Sequence, residues 1–295
     1  MNQRVLLNLL LLIGVLALIA VVYFKPGIET PPTLPPLTTL DSDQIKRIDI
    51  VRDKSTVTLE RRDGSWWIAG DTPIAADPMQ IESLLGLAGV VPERSYAIGE
   101  LDLAELKLAP PETTLRLDNT EIQFGATDPL QGLRYVRIGD RVHMIMDRYQ
   151  NILQGQRTQL ASRRLLPVDA DIVALELPGL KLAKNDKAWT VEPANDKLSA
   201  DAPQQLVDAW KNASALWVRS YQKAAGNKPV TVTLADGQKL VFELRQAEGE
   251  TLLARPDIGL QYQLPEESAK PLLELAQPEE QPEAATAPVP NTDNP

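Results

Sequence analysis

The residues that could carry acid–base or nucleophilic chemistry are few and scattered in this chain of 295 residues. His143 is the only histidine, and there is no cysteine. One histidine cannot supply a two-histidine metal site, and a Ser-His-Asp triad would have to be built on His143 itself. No Gly-x-Ser-x-Gly elbow, phosphate loop or dinucleotide fingerprint occurs. His143 alternates with Val142 and Met144 in the stretch Arg141–Met146, so it reads as a half-buried sheet residue. Carboxylates are plentiful, and a pair hidden among them would suit a hydrolase acting on polysaccharide or peptidoglycan. The two that recur in matching contexts, Asp77 and Asp201, each precede an apolar periodic stretch and read as helix N-caps, while Asp63 and Asp186 sit at matching turns. The expectation is a protein that is not an enzyme, with no catalytic residue, cofactor or metal ligand.

What does recur is suited to contact. Arg94-Ser95-Tyr96 returns as Arg219-Ser220-Tyr221, 125 residues later. Arginine and tyrosine are favoured interface anchors. Trp66 and Trp67 are neighbours on a strand, so they face opposite sides and one of them must leave the core of its sheet. Arg94, Tyr96, Arg219, Tyr221 and Trp67 are therefore the candidate interface residues. The plainer reading has each tyrosine packing across its sheet and each arginine paired with a carboxylate.

The elements that position these residues are written twice. Ile45, Ile48 and Ile50 match Ile172, Leu175 and Leu177; Val57 and Leu59 match Leu180 and Leu182. Asp63-Gly64-Ser65-Trp66 matches Asp186-Lys187-Ala188-Trp189, and Ile74–Asp77 matches Leu198–Asp201. After the shared tripeptide, Leu115–Leu117 matches Val232–Leu234, Phe124 matches Phe242, Arg137 matches Arg255, and Val142 and Met144 match Leu260 and Tyr262. Residues Ala97–Pro111 are an insertion in the first copy, with room for one short helix. Period-2 alternation with turn residues between the runs predicts a strand meander, one helix and a second meander closed by a short helix in each unit. The first helix buries Met79, Ile81, Leu84, Leu85 and Ala88; the second buries Leu206, Val207, Ala209 and Trp210. The fold class is α+β with antiparallel sheet.

The rest of the chain speaks to location. Val5 to Phe24 carries no charge and is long enough as a helix to span about 30 Å, the thickness of a hydrocarbon core. Arg4 precedes it, and Tyr23, Phe24 and Lys25 close it. This predicts an uncleaved single-pass anchor with a cytoplasmic N-terminus. A cleaved signal peptide is the rival, but a cut after Ala20 would place Leu18 where a small residue belongs. Pro26, Pro31, Pro32, Pro35 and Pro36 predict an extended spacer. The Pro/Glu/Ala-rich tail Gln277–Pro295 predicts disorder. The organisation read from the sequence is a stub and transmembrane helix over 1–25, a spacer over 26–41, unit one over 42–166, unit two over 167–276 and a tail over 277–295. The formal charge of −10 and pI near 4.8 argue against nucleic acid as a partner, because phosphate backbones repel an acidic protein.

The Asp63–Trp66 turn, the Ala76-Asp77 helix start and the Leu106-Lys107-Leu108-Ala109-Pro110 stretch leading into Thr114–Leu117 resemble a bacterial domain-of-unknown-function family, number forty-three-forty in that series. Arg134-Tyr135-Val136 is similar to one of that family's strands. The family's Gly-Leu-x-x-Pro pattern is replaced here by Lys107 at the glycine. The resemblance implies an accessory protein of the cell inner membrane, with its body in the periplasm or otherwise extracytoplasmic, beside ABC-type transporter or gliding-related components. The function expected is a non-catalytic scaffold or accessory subunit with a protein partner in the membrane or envelope. The alternative is a tethered binding module for a glycan, peptide or small solute in a groove between the units.

Overall fold

The structure, a computed structural model, describes residues 3–24, 34–53, 55–186, 188–195, 198–247 and 249–276. The first part of the expected spacer and the expected tail lie outside the described residues. Helix α1 runs Gln3–Phe24. Its described apolar side chains, among them Leu10, Leu11, Leu16 and Leu18, are exposed. The contiguous run of described side chains spans Leu9 to Ile19, and among the described residues no helix is long and apolar enough to cross a membrane.

Unit one contains β1 (Arg47–Arg52), β2 (Ser55–Arg62), β3 (Ser65–Ile68), β4 (Ile74–Ala75), α2 (Pro78–Gly86), β5 (Arg94–Ala97), β6 (Thr113–Leu117), β7 (Thr120–Thr127), β8 (Leu133–Ile138), β9 (Arg141–Met146) and α3 (Gln150–Gln154). Unit two contains β10 (Ile172–Leu177), β11 (Leu180–Asn185), β12 (Ala188–Glu192), α4 (Ala202–Asn212), β13 (Trp217–Ser220), β14 (Lys228–Leu234), β15 (Lys239–Ala247), β16 (Glu250–Arg255), β17 (Leu260–Pro265) and α5 (Glu266–Leu273). The units form two separate antiparallel sheets with the same strand order, apart from β4 at the edge of the first. The first is β4-β3-β2-β1-β6-β7-β8-β9-β5 and the second is β12-β11-β10-β14-β15-β16-β17-β13. In both, the strand that follows the helix crosses to the far edge, so the duplication holds at the level of topology.

Alternation along each strand sends one set of side chains to a core shared with the helices. Ile48, Ile50, Leu59, Leu115, Leu117 and Phe124 line the first sheet beneath Ile81 and Leu84 of α2. Val230, Val232 and Phe242 line the second beneath Leu206, Val207 and Trp210 of α4. Trp210 meets Phe242 edge-on at 5.6 Å and donates its indole N–H to the Leu272 carbonyl at 2.8 Å, which holds α5 against α4. Met79 departs from its expected buried position and is exposed, because it lies about 200° around α2 from the buried Ile81.

Turn chemistry explains the hairpins. Asp63 and Gly64 both have positive φ, at 50° and 81°, as a two-residue hairpin turn between right-twisted strands requires. Asp186 matches Asp63 with φ 48°.

Two corrections concern the repeat. Ser95 lies opposite His143 on β9, and Ser220 lies opposite Leu260 on β17. Leu260 and Tyr262 therefore correspond to His143 and Ile145, not to Val142 and Met144. Arg137 and Arg255 likewise face opposite sides of their sheets. The cause lies before these hairpins, whose pairs Arg137–Val142 and Arg255–Leu260 match: the β7–β8 ladder shifts register between Phe124 and Thr127, and the β15–β16 ladder does not. A one-residue offset reverses every facing. The second correction concerns Asp201, whose side chain makes no cap bond; its ψ of −14° already places it in helical geometry. Asp77, extended with ψ 119°, accepts from the Met79 and Gln80 N–H groups.

The units are joined by the segment between α3 and β10. Its Leu160 carbonyl accepts from the Asp77 N–H, and its Ser162 N–H donates to Ala75, both at 2.8 Å. Further along, the Arg163 carbonyl accepts from the Ala215 N–H, and the Leu165 N–H donates to Ala213. Arg163 Nε also reaches Asp77 Oδ2 at 3.3 Å, and Arg164 donates to the Lys211 carbonyl at 2.7 Å. Unit one carries its own copy of this strap. The Leu37 N–H donates to Val90 and the Thr38 N–H to Ala88, with Leu37 buried in the core. The last residues of the expected spacer are thus packed against the body.

Candidate functional site

β5 and β13, which carry the repeated tripeptide, are the terminal strands of their sheets. Each pairs on one side only, β5 with β9 and β13 with β17. Arg94 and Arg219 are exposed, and neither guanidinium has a hydrogen-bond or ion-pair partner among the described residues. The expected pairing of each arginine with a carboxylate does not occur.

The tyrosines differ. Tyr96 lies opposite Val142 on the face turned away from the main core. Tyr221 follows β13 and donates its phenol to Glu243 Oε2 at 3.0 Å, and Asn227 donates to the same oxygen at 2.6 Å. Loss of hydration, together with that carboxylate, raises the Tyr221 phenol above its ordinary value. Trp67 is half-buried on β3, opposite Glu60 and Ala75. Its neighbour Trp66 packs on the core, as strand alternation requires. β3 and β5 lie at opposite ends of the nine-stranded sheet, so Trp67 is not brought to the Arg94–Tyr96 edge. No hydrogen bond or ion pair joins the two tripeptides among the described residues.

Residues that sequence reasoning passed over stand next to the first edge. The insertion contains a 3-10 turn at Ile98–Glu100 and then a series of turns, not the short α-helix expected from its leucines. It lies across the outer face of sheet one. The Ala126 N–H donates to the Leu106 carbonyl at 2.7 Å, and Leu108 is buried. A Cβ at Gly125 would collide with that Leu106 carbonyl, so glycine is required beneath the insertion. Lys107 has φ 53°. Its backbone explains why a glycine is expected at this position: left-handed geometry costs nothing for glycine and strains a lysine.

Arg134 is the most buried charge among the described residues, with 2% of its side chain exposed. It donates to Glu112 at 2.8 Å and to Asp147 at 3.3 Å, and stands over the Phe124 ring. Thr127 donates to the same Asp147 oxygen. The cluster ties the strand after the insertion to the exit of β9. The signal was present in Arg134-Tyr135-Val136-Arg137-Ile138, where Arg134 shares the face of Val136 and Ile138. No group of His, Asp or Glu among the described residues could hold a metal ion. His143 is half-buried, its Nδ1 lacks a partner, and burial with Arg141 nearby lowers its pKa.

The family model for a domain of unknown function, DUF4340, matches residues 66–222, from the tryptophan strand of unit one to the residue after Tyr221. The chain belongs to this family. The DUF4340 match covers more than half of the chain and crosses from one unit into the other, so the family's defining segment includes the strap between the units and both copies of the tripeptide. No curated protein and no solved structure matches the chain.

Proposed function

We propose that this DUF4340 chain is a non-catalytic, membrane-anchored scaffold or accessory subunit of an envelope or transporter complex, its duplicated body on the extracytoplasmic side. The observation that carries this reading is the repeated arginine. Both copies stand at a sheet edge, exposed and without a partner among the described residues, whereas Arg47, Arg62, Arg116, Arg134, Arg163 and Arg255 each pair with a carboxylate. A guanidinium kept free at an edge strand is available to a partner's carboxylate or backbone carbonyl. The anchor rests on α1, whose 22 residues would measure about 33 Å and whose described leucines are exposed. Anchoring and docking in one chain suit a subunit that holds a partner at the membrane.

The test is purification from native membranes in mild detergent, with mass-spectrometric identification of co-purifying proteins. Stoichiometric membrane partners that are lost when Arg219 and Tyr221 are replaced by Ala support the reading. A solitary chain, or extraction from the membrane by alkaline carbonate, contradicts it.

A further inference from the structure

The repeated tyrosine is satisfied in one unit and left open in the other. Tyr221 donates to Glu243 within unit two. Tyr96 is half-buried, and its phenol has no hydrogen-bond partner among the described residues. Register sets a second tyrosine near it. Arg94 and Tyr135 flank Met144, and Tyr96 and Arg137 flank Val142, so these four side chains share the outer face of sheet one. With strands about 4.8 Å apart, the backbones of Arg94 and Tyr135 lie roughly 10 Å from each other across β9. Val142 and Met144 between them are buried, yet they stand outside the main core. An apolar floor therefore carries a rim of two phenols and two guanidinium groups.

The insertion adds a fixed wall, since Leu106 is hydrogen-bonded to β7 and Leu108 is buried. Glu105 of the insertion and Asp128 of the β7–β8 turn stand within electrostatic reach of the Tyr135 phenol, as do Tyr96 and Arg94. Loss of hydration is the first cause that raises this phenol above its ordinary value, so the ring is partly withdrawn from water. The polar groups around it are unused. The phenols of Tyr96 and Tyr135, the Arg94 guanidinium and the Glu105 carboxylate have no hydrogen-bond or ion-pair partner among the described residues. Arg94 and Glu105 do not pair with each other despite their opposite charges. Arg94 and Arg137 balance Glu105 and Asp128, so the local field favours neither an anion nor a cation. A hydroxyl group is donor and acceptor at once and can bond to every one of these groups. The tyrosine rings add flat apolar faces with polar tips.

We propose that this face of unit one, floored by Val142 and Met144, binds a neutral glycan. A sugar ring lies against Tyr96 and Tyr135, and its hydroxyls bond to the two phenols, Arg94 and Glu105. Unit two has no equivalent. Its tyrosine is tied to Glu243, and Ala254 stands two strands in from Arg219, where Tyr135 stands two strands in from Arg94. Glycan binding goes beyond the accessory-subunit reading, because an anchored subunit can hold a glycan with or without a protein partner.

The test is an array of immobilised neutral and acidic oligosaccharides, probed with the labelled full chain in micelles of a polyoxyethylene detergent that carries no sugar. At least one neutral oligosaccharide should retain the chain, and calorimetric titration of that oligosaccharide should show saturable binding. Tyr135→Ala should weaken it about tenfold. Tyr135→Phe, which keeps the ring and loses only the hydroxyl, and Arg94→Ala should each weaken it about fivefold. Lys181→Ala on β11, in the other sheet, should leave it unchanged, with thermal unfolding of all four variants as in the parent. Retention by no glycan or by acidic glycans alone overturns the proposal, as does binding that is indifferent to both Tyr135→Phe and Arg94→Ala.

Discussion

Two residues show how local physics departs from residue type. His143 occupies a core-facing strand position that Leu260 fills in unit two. Its pKa is held below the ordinary value by burial first and by Arg141 second. A group whose folded pKa is depressed contributes stability that is whole above its unfolded pKa, near 6.5, and is lost as pH falls below it. The melting temperature should therefore decline from pH 7 to pH 5, and His143→Leu should flatten that decline; an unchanged slope would contradict the assignment. Asp49, Glu121 and Asp257 are also held low, but carboxylates lose their share only near and below pH 4, which separates the two windows. Lys107 carries left-handed strain of about 1–2 kcal/mol, against an entropic cost of about 0.5–1 kcal/mol for glycine. Its ion pair with Glu112 is exposed and worth little. Lys107→Gly should raise stability by about 0.5 kcal/mol in denaturant unfolding, and a clear loss would show that the ion pair outweighs the strain. Arg134→Met should cost about 3 kcal/mol, since it strands Asp147 in the protein interior; a loss below about 1 kcal/mol would place the cluster outside the stabilising core.

At the scale of elements, the strap distinguishes two aspartates that look alike in sequence. Asp77 caps α2 and receives Arg163 from the strap, whereas Asp201 does neither. Asp77→Ala should cost about 1–2 kcal/mol and Asp201→Ala less than about 0.5 kcal/mol, with equal losses ruling out the difference drawn here. Pro35 stands in the strap of unit one where Ser162 stands in the strap between units. Ser162 donates its N–H to Ala75, a bond a proline cannot make, so unit one's strap cannot copy that bond to another unit's β4. The strands and helices were legible because alternation, aspartate–glycine turns and Pro78 after Asp77 are local signals. The crossing of β5 to the far edge was not, because no residue in Arg94–Ala97 encodes which strand it will join. The register of β8 and β9 was misread because facing there depends on a register shift in the β7–β8 ladder, between Phe124 and Thr127, that residue type does not announce. Asp201 was misread because capping requires an extended backbone that residue type does not determine. Of the candidate interface, the edge position of the repeated tripeptide became visible only from the topology. The insertion's role as a roof needed Gly125 and Leu106 to be seen together.

For the whole molecule, duplication produced two sheets of one topology and then a difference between them: an insertion lies across the outer face of the first and has no counterpart in the second. The units share a single continuous hydrophobic cluster and a common strap, so they present their edges as one body. On the accessory-subunit reading proposed above, the exposed edge strand that carries Trp217 and Arg219 is where a partner would dock. The most direct measurement is photo-crosslinking in native membranes from a benzophenone residue placed at position 217 of the full chain, with a matched probe at position 181. The account predicts one dominant crosslinked membrane protein from position 217, absent from position 181 and lost when Arg219 is replaced by Glu. Identical patterns from both positions, or no product from position 217, would contradict it.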